Sequence, residues 1–133
     1  MSMFTNIKTS SENKTRVTEL TRKLQLGPEN VIARIALGYS LSKDRFLNLK
    51  NIQNSSGKEY SKNVLFGNNA NHYIALICTN YNLYRTDKDI LRYIKMHIDD
   101  GLELIEKEIK ENPNLSGFDF LIQKIDEGLK SIQ

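Results

Sequence analysis

A helix that is apolar nearly all the way round must be covered on two sides, and residues 28–41 make such a helix. Val31, Ile32, Ile35, Ala36 and Tyr39 take one side of it, and Leu37 and Leu41 another. Pro28 suits its first position, and Glu29 stands in the first turn, where the helix dipole favours negative charge. In a short chain the second covering partner is either another element of the same chain or a second subunit, and the pattern leaves both open. Arg34 falls inside the apolar wrap, which predicts an acidic partner for it.

What precedes this helix limits the arrangement further. Residues 3–8 alternate as a short strand, with Met3, Thr5 and Ile7 on one side and Phe4, Asn6 and Lys8 on the other. Ser10, Ser11, Glu12 and Asn13 then supply capping groups. Val17, Leu20 and Leu24 recur at helical spacing, so a first helix runs to Leu26 and ends at Gly27-Pro28. The order strand, helix, Gly-Pro turn, helix over residues 3–42 resembles the ribbon-helix-helix arrangement, in which two chains pair strands and interlock second helices. A ribbon of that kind enters the major groove. On this analogy Phe4, Asn6 and Lys8 face the bases, with Asn suited to adenine and Lys to guanine.

Residues 43–69 form a basic loop or hairpin segment rich in Asn, Ser, Gly and Lys, with hints of short strands at Leu47–Lys50 and Asn63–Phe66. Helical periodicity returns at Ala70 and runs to about Leu83 through Tyr73, Ile74, Ile77 and Tyr81, with Cys78 packed as a small hydrophobe. Thr86 and Asp89 resemble a capping box. After them Ile90, Ile94, Ile98, Leu102, Ile105 and Ile109 draw one stripe along a helix roughly 30 Å long at ~1.5 Å per residue. Asn112-Pro113-Asn114 breaks it. Ser116 opens a last helix with Phe118, Leu121, Ile122, Ile125, Leu129 and Ile132 facing inward, and the two C-terminal helices read as an antiparallel pair. The expected fold is mainly α, a ribbon-helix-helix-like N-terminal part followed by further helices. At 133 residues the chain is one domain, with residues 70–133 its acidic helical part.

Composition narrows the chemistry. No apolar run reaches the ~18–20 residues of a membrane-spanning helix. The first eight residues lack the basic-then-apolar build of a secretory signal, so a protein of the reducing cytoplasm is expected. One cysteine and two histidines cannot build a four-ligand zinc site. Ser55-Ser56-Gly57-Lys58-Glu59 is not a P-loop, because Ile52 stands where glycine is required and Glu59 where Ser or Thr is. No nucleophile lies near either histidine in sequence. His97, Asp100 and Glu103 share a helix face and make a minor candidate for a hydrolytic metal site, against a solvated acidic face paired as Glu103/Lys107 and Glu106/Lys110.

The net charge of +3 divides unevenly: residues 1–66 hold 11 Lys/Arg against 5 Asp/Glu, and residues 67–133 hold 8 against 11. A basic half attracts polyanions, of which nucleic acid is the commonest. Its cations are interleaved with Thr, Ser and Asn, all able to bond phosphate oxygens. Arg16 and Lys23, seven apart, share one flank of the first helix.

Longer stretches carry a more specific likeness. Leu26-Gly27-Pro28-Glu29-Asn30-Val31-Ile32-Ala33-Arg34-Ile35-Ala36-Leu37, then Ser56-Gly57-Lys58-Glu59-Tyr60, then Leu65-Phe66-Gly67, then Tyr93 to Leu102 through His97-Ile98-Asp99-Asp100-Gly101, resemble the DndE family of DNA sulfur-modification proteins over about residues 4–110. The family belongs to a bacterial multi-protein pathway that replaces a non-bridging phosphate oxygen of DNA by sulfur, with a cysteine desulfurase and ATP-using partners supplying the chemistry. The resemblance implies a small DNA-binding member without known catalysis or cofactor, forming a homotetramer whose surface lysines favour nicked double-stranded DNA. It assigns no individual lysine. The charge map selects Lys8, Lys14, Arg16, Arg22, Lys23, Lys43 and Lys50 as the DNA-binding set. The alternatives are a protein scaffold of the modification complex and, less favoured, a metal-dependent nicking enzyme built on His97, Asp100 and Glu103.

Overall fold

The computed structural model describes residues 6–114 together with 116, 117, 119–121, 123 and 124. Its order is β1 (Asn6–Lys8), α1 (Ser11–Leu24), α2 (Glu29–Ser42), a 3-10 turn at Leu49–Asn51, β2 (Glu59–Ser61), α3 (Lys62–Phe66), a second 3-10 turn at Gly67–Asn69, α4 (Ala70–Tyr81) and α5 (Ile90–Glu111). The chain is mainly helical, with one two-stranded antiparallel sheet at its N-terminal end.

The strand follows its alternation. Ile7 is buried while Asn6 and Lys8 are exposed, and residues 1–5, with Met3, Phe4 and Thr5, lie outside the described set. β1 pairs with β2 of its own chain in the register Asn6↔Ser61, Ile7↔Tyr60, Lys8↔Glu59. That differs from a ribbon-helix-helix dimer, whose ribbon is shared between chains. The pairing continues past the strand, as Thr9 N–H donates to Lys58 O and Gly57 N–H to Thr9 O, both at 2.9 Å. Gly57 permits this approach: a Cβ there would lie 2.1 Å from Ser10 O.

α1 begins as predicted. Ser10 is its N-cap, the hydroxyl accepting from Asn13 N–H, and Val17, Leu20 and Leu24 are buried. It ends at Gln25, which sits at φ 54° and donates its N–H to Thr21 O. Gly27 follows at φ 134°, a conformation open to glycine at no steric cost. Pro28 is the N-cap of α2 rather than its first residue.

α2 is the centre of the molecule, and both partners that its apolar wrap demands come from the same chain. Ile32, Ala33, Ala36 and Leu37 are fully buried, with α5 on one side and α1 and α3 on the others. The helices come closest at Gly101, where a Cβ would stand 1.9 Å from Ala36 O. The whole predicted stripe of α5, from Ile90 to Ile109, is buried. Among the described residues Arg34 meets no acid: its Nε donates to Leu65 O at 2.6 Å, satisfying a carbonyl in the last turn of α3 that the helix itself leaves open.

Other expectations change in detail. Asn63–Phe66 belongs to α3, whose N-cap Ser61 accepts from Val64 N–H, and Leu47–Lys50 runs into a 3-10 turn instead of a strand. Thr86 and Asp89 form no capping box; Asp87 accepts from Asp89 N–H at 2.7 Å instead. Of the final helix, Ser116 does cap, its hydroxyl accepting from Asp119 N–H. Phe120, not among the residues expected inside, is fully buried and packs its ring 6.0 Å from that of Tyr39, while Leu121 is half-buried. Phe118, Ile122, Ile125, Leu129 and Ile132 lie outside the described residues. Lys124 returns to pair with Glu108 near the end of α5, as an antiparallel neighbour does.

Candidate nucleic-acid interface

The seven selected cations do not form one patch. On α1 the buried positions 13, 17, 20 and 24 divide the surface at ~100° per residue into two flanks. Lys14, Thr18 and Arg22 follow one another at i, i+4, i+8 on the outward flank, all exposed. Arg16 and Lys23 do share a flank, as their spacing requires, but that flank faces α5 and the chain beyond it. Arg16 Nε lies 3.1 Å from Glu106 Oε1 and NH1 3.9 Å from Glu103 Oε1. Lys23 Nζ donates to Pro113 O at 2.9 Å. Arg16 in particular is half-buried between these two carboxylates.

Lys43, at the C-terminus of α2, stands over the Tyr39 ring at 5.1 Å from its centroid. Lys50 is exposed on the 3-10 turn. Lys8 lines a shallow groove of about 510 Å³ between β1, residues 52–59 and the start of α5. There it is joined by Arg92 and Lys95, two cations the charge map did not select because they belong to the acidic half in sequence. Asn6, Gln53 and Ser55 add hydrogen-bonding groups, and Glu59 is the groove's one carboxylate; it accepts from Asn6 Nδ2 at 2.8 Å.

The acidic helix is neutralised from within. Asp99, almost fully buried, accepts from Lys95 Nζ at 2.6 Å, from Asn13 Nδ2 at 2.6 Å and from Ser10 N–H at 3.1 Å. Asp100 takes both arms of the Arg45 guanidinium at 2.7 and 2.8 Å. Glu103 and Glu106 face Arg16, and Glu108 pairs with Lys124. The expected Glu103/Lys107 pair does not form, since Glu103 turns to Gln53 Nε2 at 3.0 Å, whereas Glu106/Lys110 does at 3.5 Å. Burial pushes the Tyr39 phenol up to about 12, helped by its hydrogen bond to Glu108.

His97, Asp100 and Glu103 do not converge as a metal site; among the described residues no group of three His, Cys, Asp or Glu side chains is placed to hold an ion. His97 is instead the middle of a buried hydrogen-bond chain. Leu47 N–H donates to Tyr81 O at 2.9 Å, Tyr81 O lies 2.7 Å from His97 Nε2, Ser40 Oγ 2.8 Å from His97 Nδ1, and Ser40 O–H donates to Asp100 at 2.6 Å. A neutral imidazole carrying its hydrogen on Nδ1 satisfies every member in one direction. Burial correspondingly lowers the His97 pKa to about 4, Asp100 opposing and Arg45 reinforcing the shift.

A family model described as DNA sulphur modification protein DndE matches residues 6–113, most of the chain. The chain belongs to the DndE family. That family takes part in DNA phosphorothioation, the sulphur modification of DNA. Two solved structures share the fold. The crystal structure of DndE from Escherichia coli B7A, involved in DNA phosphorothioation modification, is 15% identical with a TM-score of 0.63, covering 76% of this chain and 96% of that one. A DndE mutant involved in DNA phosphorothioation is 16% identical with a TM-score of 0.63, covering 75% and 95%. No curated protein matches the chain.

The stretches that carry the DndE likeness turn out to be structural. Gly57 and Gly101 allow two close backbone approaches, and Asp99 ties α5 to the start of α1 across 86 to 89 residues of chain. No helix of the described DndE-family chain is long and apolar enough to cross a membrane.

Proposed function

We propose that this DndE-family chain is a non-catalytic DNA-binding subunit of a bacterial phosphorothioation system, cytoplasmic and nucleoid-associated, that grips the phosphate backbone of double-stranded DNA and prefers a nicked duplex. The observation that carries the reading is an imbalance of pairing. Exposed Lys8, Lys14, Arg22 and Lys50 have no acidic partner among the described residues, while five carboxylates of α5 each face a cation. Exposed Glu12, Glu19 and Glu59 temper the field of these elements, but the N-terminal half keeps an excess of cations, 11 against 5, which is the footprint of a backbone binder. A homotetramer multiplies these cations by symmetry, and a nick makes bending across them cheaper than in intact duplex.

The test is a salt titration of anisotropy on nicked and intact duplexes. Affinity is expected to fall steeply with salt, at about −0.9 in log–log slope per phosphate neutralised. Lys14→Glu with Arg22→Glu is expected to weaken both complexes and flatten the slope. Arg16→Glu instead sets a third carboxylate against Glu103 and Glu106 and lowers the melting temperature. No binding of either duplex at low salt sinks the reading.

A second reading, a protein scaffold for other members of the modification complex, is favoured by one feature. α4 carries no Asp, Glu, Lys or Arg in twelve residues, and Leu76 on it and Val64 on α3 are exposed. Under that reading the double reversal on α1 leaves modification intact.

A further inference from the structure

Phe46 is three-quarters exposed, at 75%, on a segment with no slack to hide it. Arg45 before it is forked onto Asp100, and Leu47 after it is tied through its N–H to Tyr81. The ring itself stands edge-on to Tyr81, with centroids 6.0 Å apart and planes at 80°. The ring is thus held at its base while its outer face stays open to solvent.

At its foot lies a pocket of about 280 Å³, below the ~300–1,000 Å³ of drug-sized ligand sites. Phe46 and Met96 give it apolar walls, and Asn48, Asn51 and Gln53 offer amides that both donate and accept. Its three carboxylates, Asp99, Asp100 and Glu103, already face Lys95, Arg45 and Arg16. The site is thus close to neutral, which disfavours a phosphate or a free cation and suits a flat, uncharged molecule with hydrogen-bonding edges. Lys43 and Lys50 bracket the segment in sequence, with Asp44 as its only acid; Lys50 is exposed, while Lys43 Nζ stands over the Tyr39 ring.

We infer that Phe46 and this pocket receive a single unstacked nucleobase, the one beside a strand break, where leaving the stack costs least. The inference rests on the nicked-duplex reading above and gives that preference a residue.

The experiment places 2-aminopurine next to the nick of one duplex and at the same position of an intact one. Binding of the wild-type protein is expected to change its emission only in the nicked duplex. Phe46→Ala is expected to abolish that change and to reduce the nicked-to-intact affinity ratio about tenfold, within the range of one base–aromatic stack, with intact-duplex affinity and salt slope unchanged. Phe46→Trp is expected to keep the ratio, and Asn51→Ala to lower it in part. An exposed ring is removable without unfolding, and thermal melts check this. If wild type prefers the nicked duplex and Phe46→Ala leaves ratio and emission as they were, the nucleobase site is overturned while backbone gripping stands. If wild type shows no nick preference, the underlying reading falls and takes this one with it.

Discussion

Acid should weaken this protein through His97 before most of its carboxylates titrate. The imidazole is fully buried, bonded on both nitrogens and held neutral with a pKa near 4 against an ordinary 6.5. Above pH 6.5 neither the folded nor the unfolded chain protonates it, and it adds no pH dependence. Between 6.5 and 4 the unfolded chain takes up a proton that the folded one refuses, so stability falls as pH falls. Each unit of difference is worth ~1.36 kcal/mol, which puts the full loss at about 3 kcal/mol below pH 4, and about 2 kcal/mol of it is gone by pH 5. The assay is urea unfolding from pH 7.5 to 5 on wild type and His97→Gln, together with the His97 Hε1 resonance. The variant is less stable at neutral pH, because two hydrogen bonds are re-formed imperfectly, and the gap between the proteins should narrow by about 2 kcal/mol at pH 5. Parallel pH profiles, or a His97 resonance that titrates near 6.5, would refute the buried neutral imidazole.

Two further outcomes follow from packing and charge. Gly101→Ala drives a methyl to 1.9 Å from Ala36 O, backbone that has nowhere to yield without separating α2 from α5, and is expected to cost about 3 kcal/mol or more in urea unfolding. Asp99→Ala strands Lys95, which is 5% exposed, and removes the acceptor of Ser10 and Asn13. A loss of about 3–5 kcal/mol is expected, together with fraying of the first turn of α1 in hydrogen exchange; an unchanged denaturation midpoint would remove Asp99 from that role.

Local patterns in the sequence carried well where one periodicity dominates. The α5 stripe from Ile90 to Ile109, the α1 face at Val17, Leu20 and Leu24, and the Ser10 and Ser116 caps all stand as read. What the sequence hides is long-range pairing. Arg16 looks like a surface cation from its own helix, and only the arrival of α5 sets Glu103 and Glu106 against it. Arg92 and Lys95 sit among acids in sequence yet share a groove with Lys8, so a charge sum by halves misses them. Phe120 was obscured by its neighbours: Phe118, Phe120, Leu121 and Ile122 allow several inward registers. Gly117 helps choose one, since a Cβ there would meet Leu24 O at 1.8 Å. Residues 43–69 are short pieces whose form depends on what they lean on, as α3 leans its last carbonyls on Arg34.

The Asp99 tether also sets a timetable for synthesis. β1 waits for residues 59–61, and the start of α1 waits for a carboxylate nearly ninety positions downstream. A chain leaving the ribosome can wind α1 and α2 early and add α3, but the largest cover of α2 waits until α5 emerges. Through most of translation the α5-facing side of this apolar helix is therefore open to solvent and to other nascent chains. A ribosome stalled before residue 90 would present the α5-facing side of that helix bare, making early-terminated products of this gene substrates for chaperones and proteases rather than weakened versions of the protein.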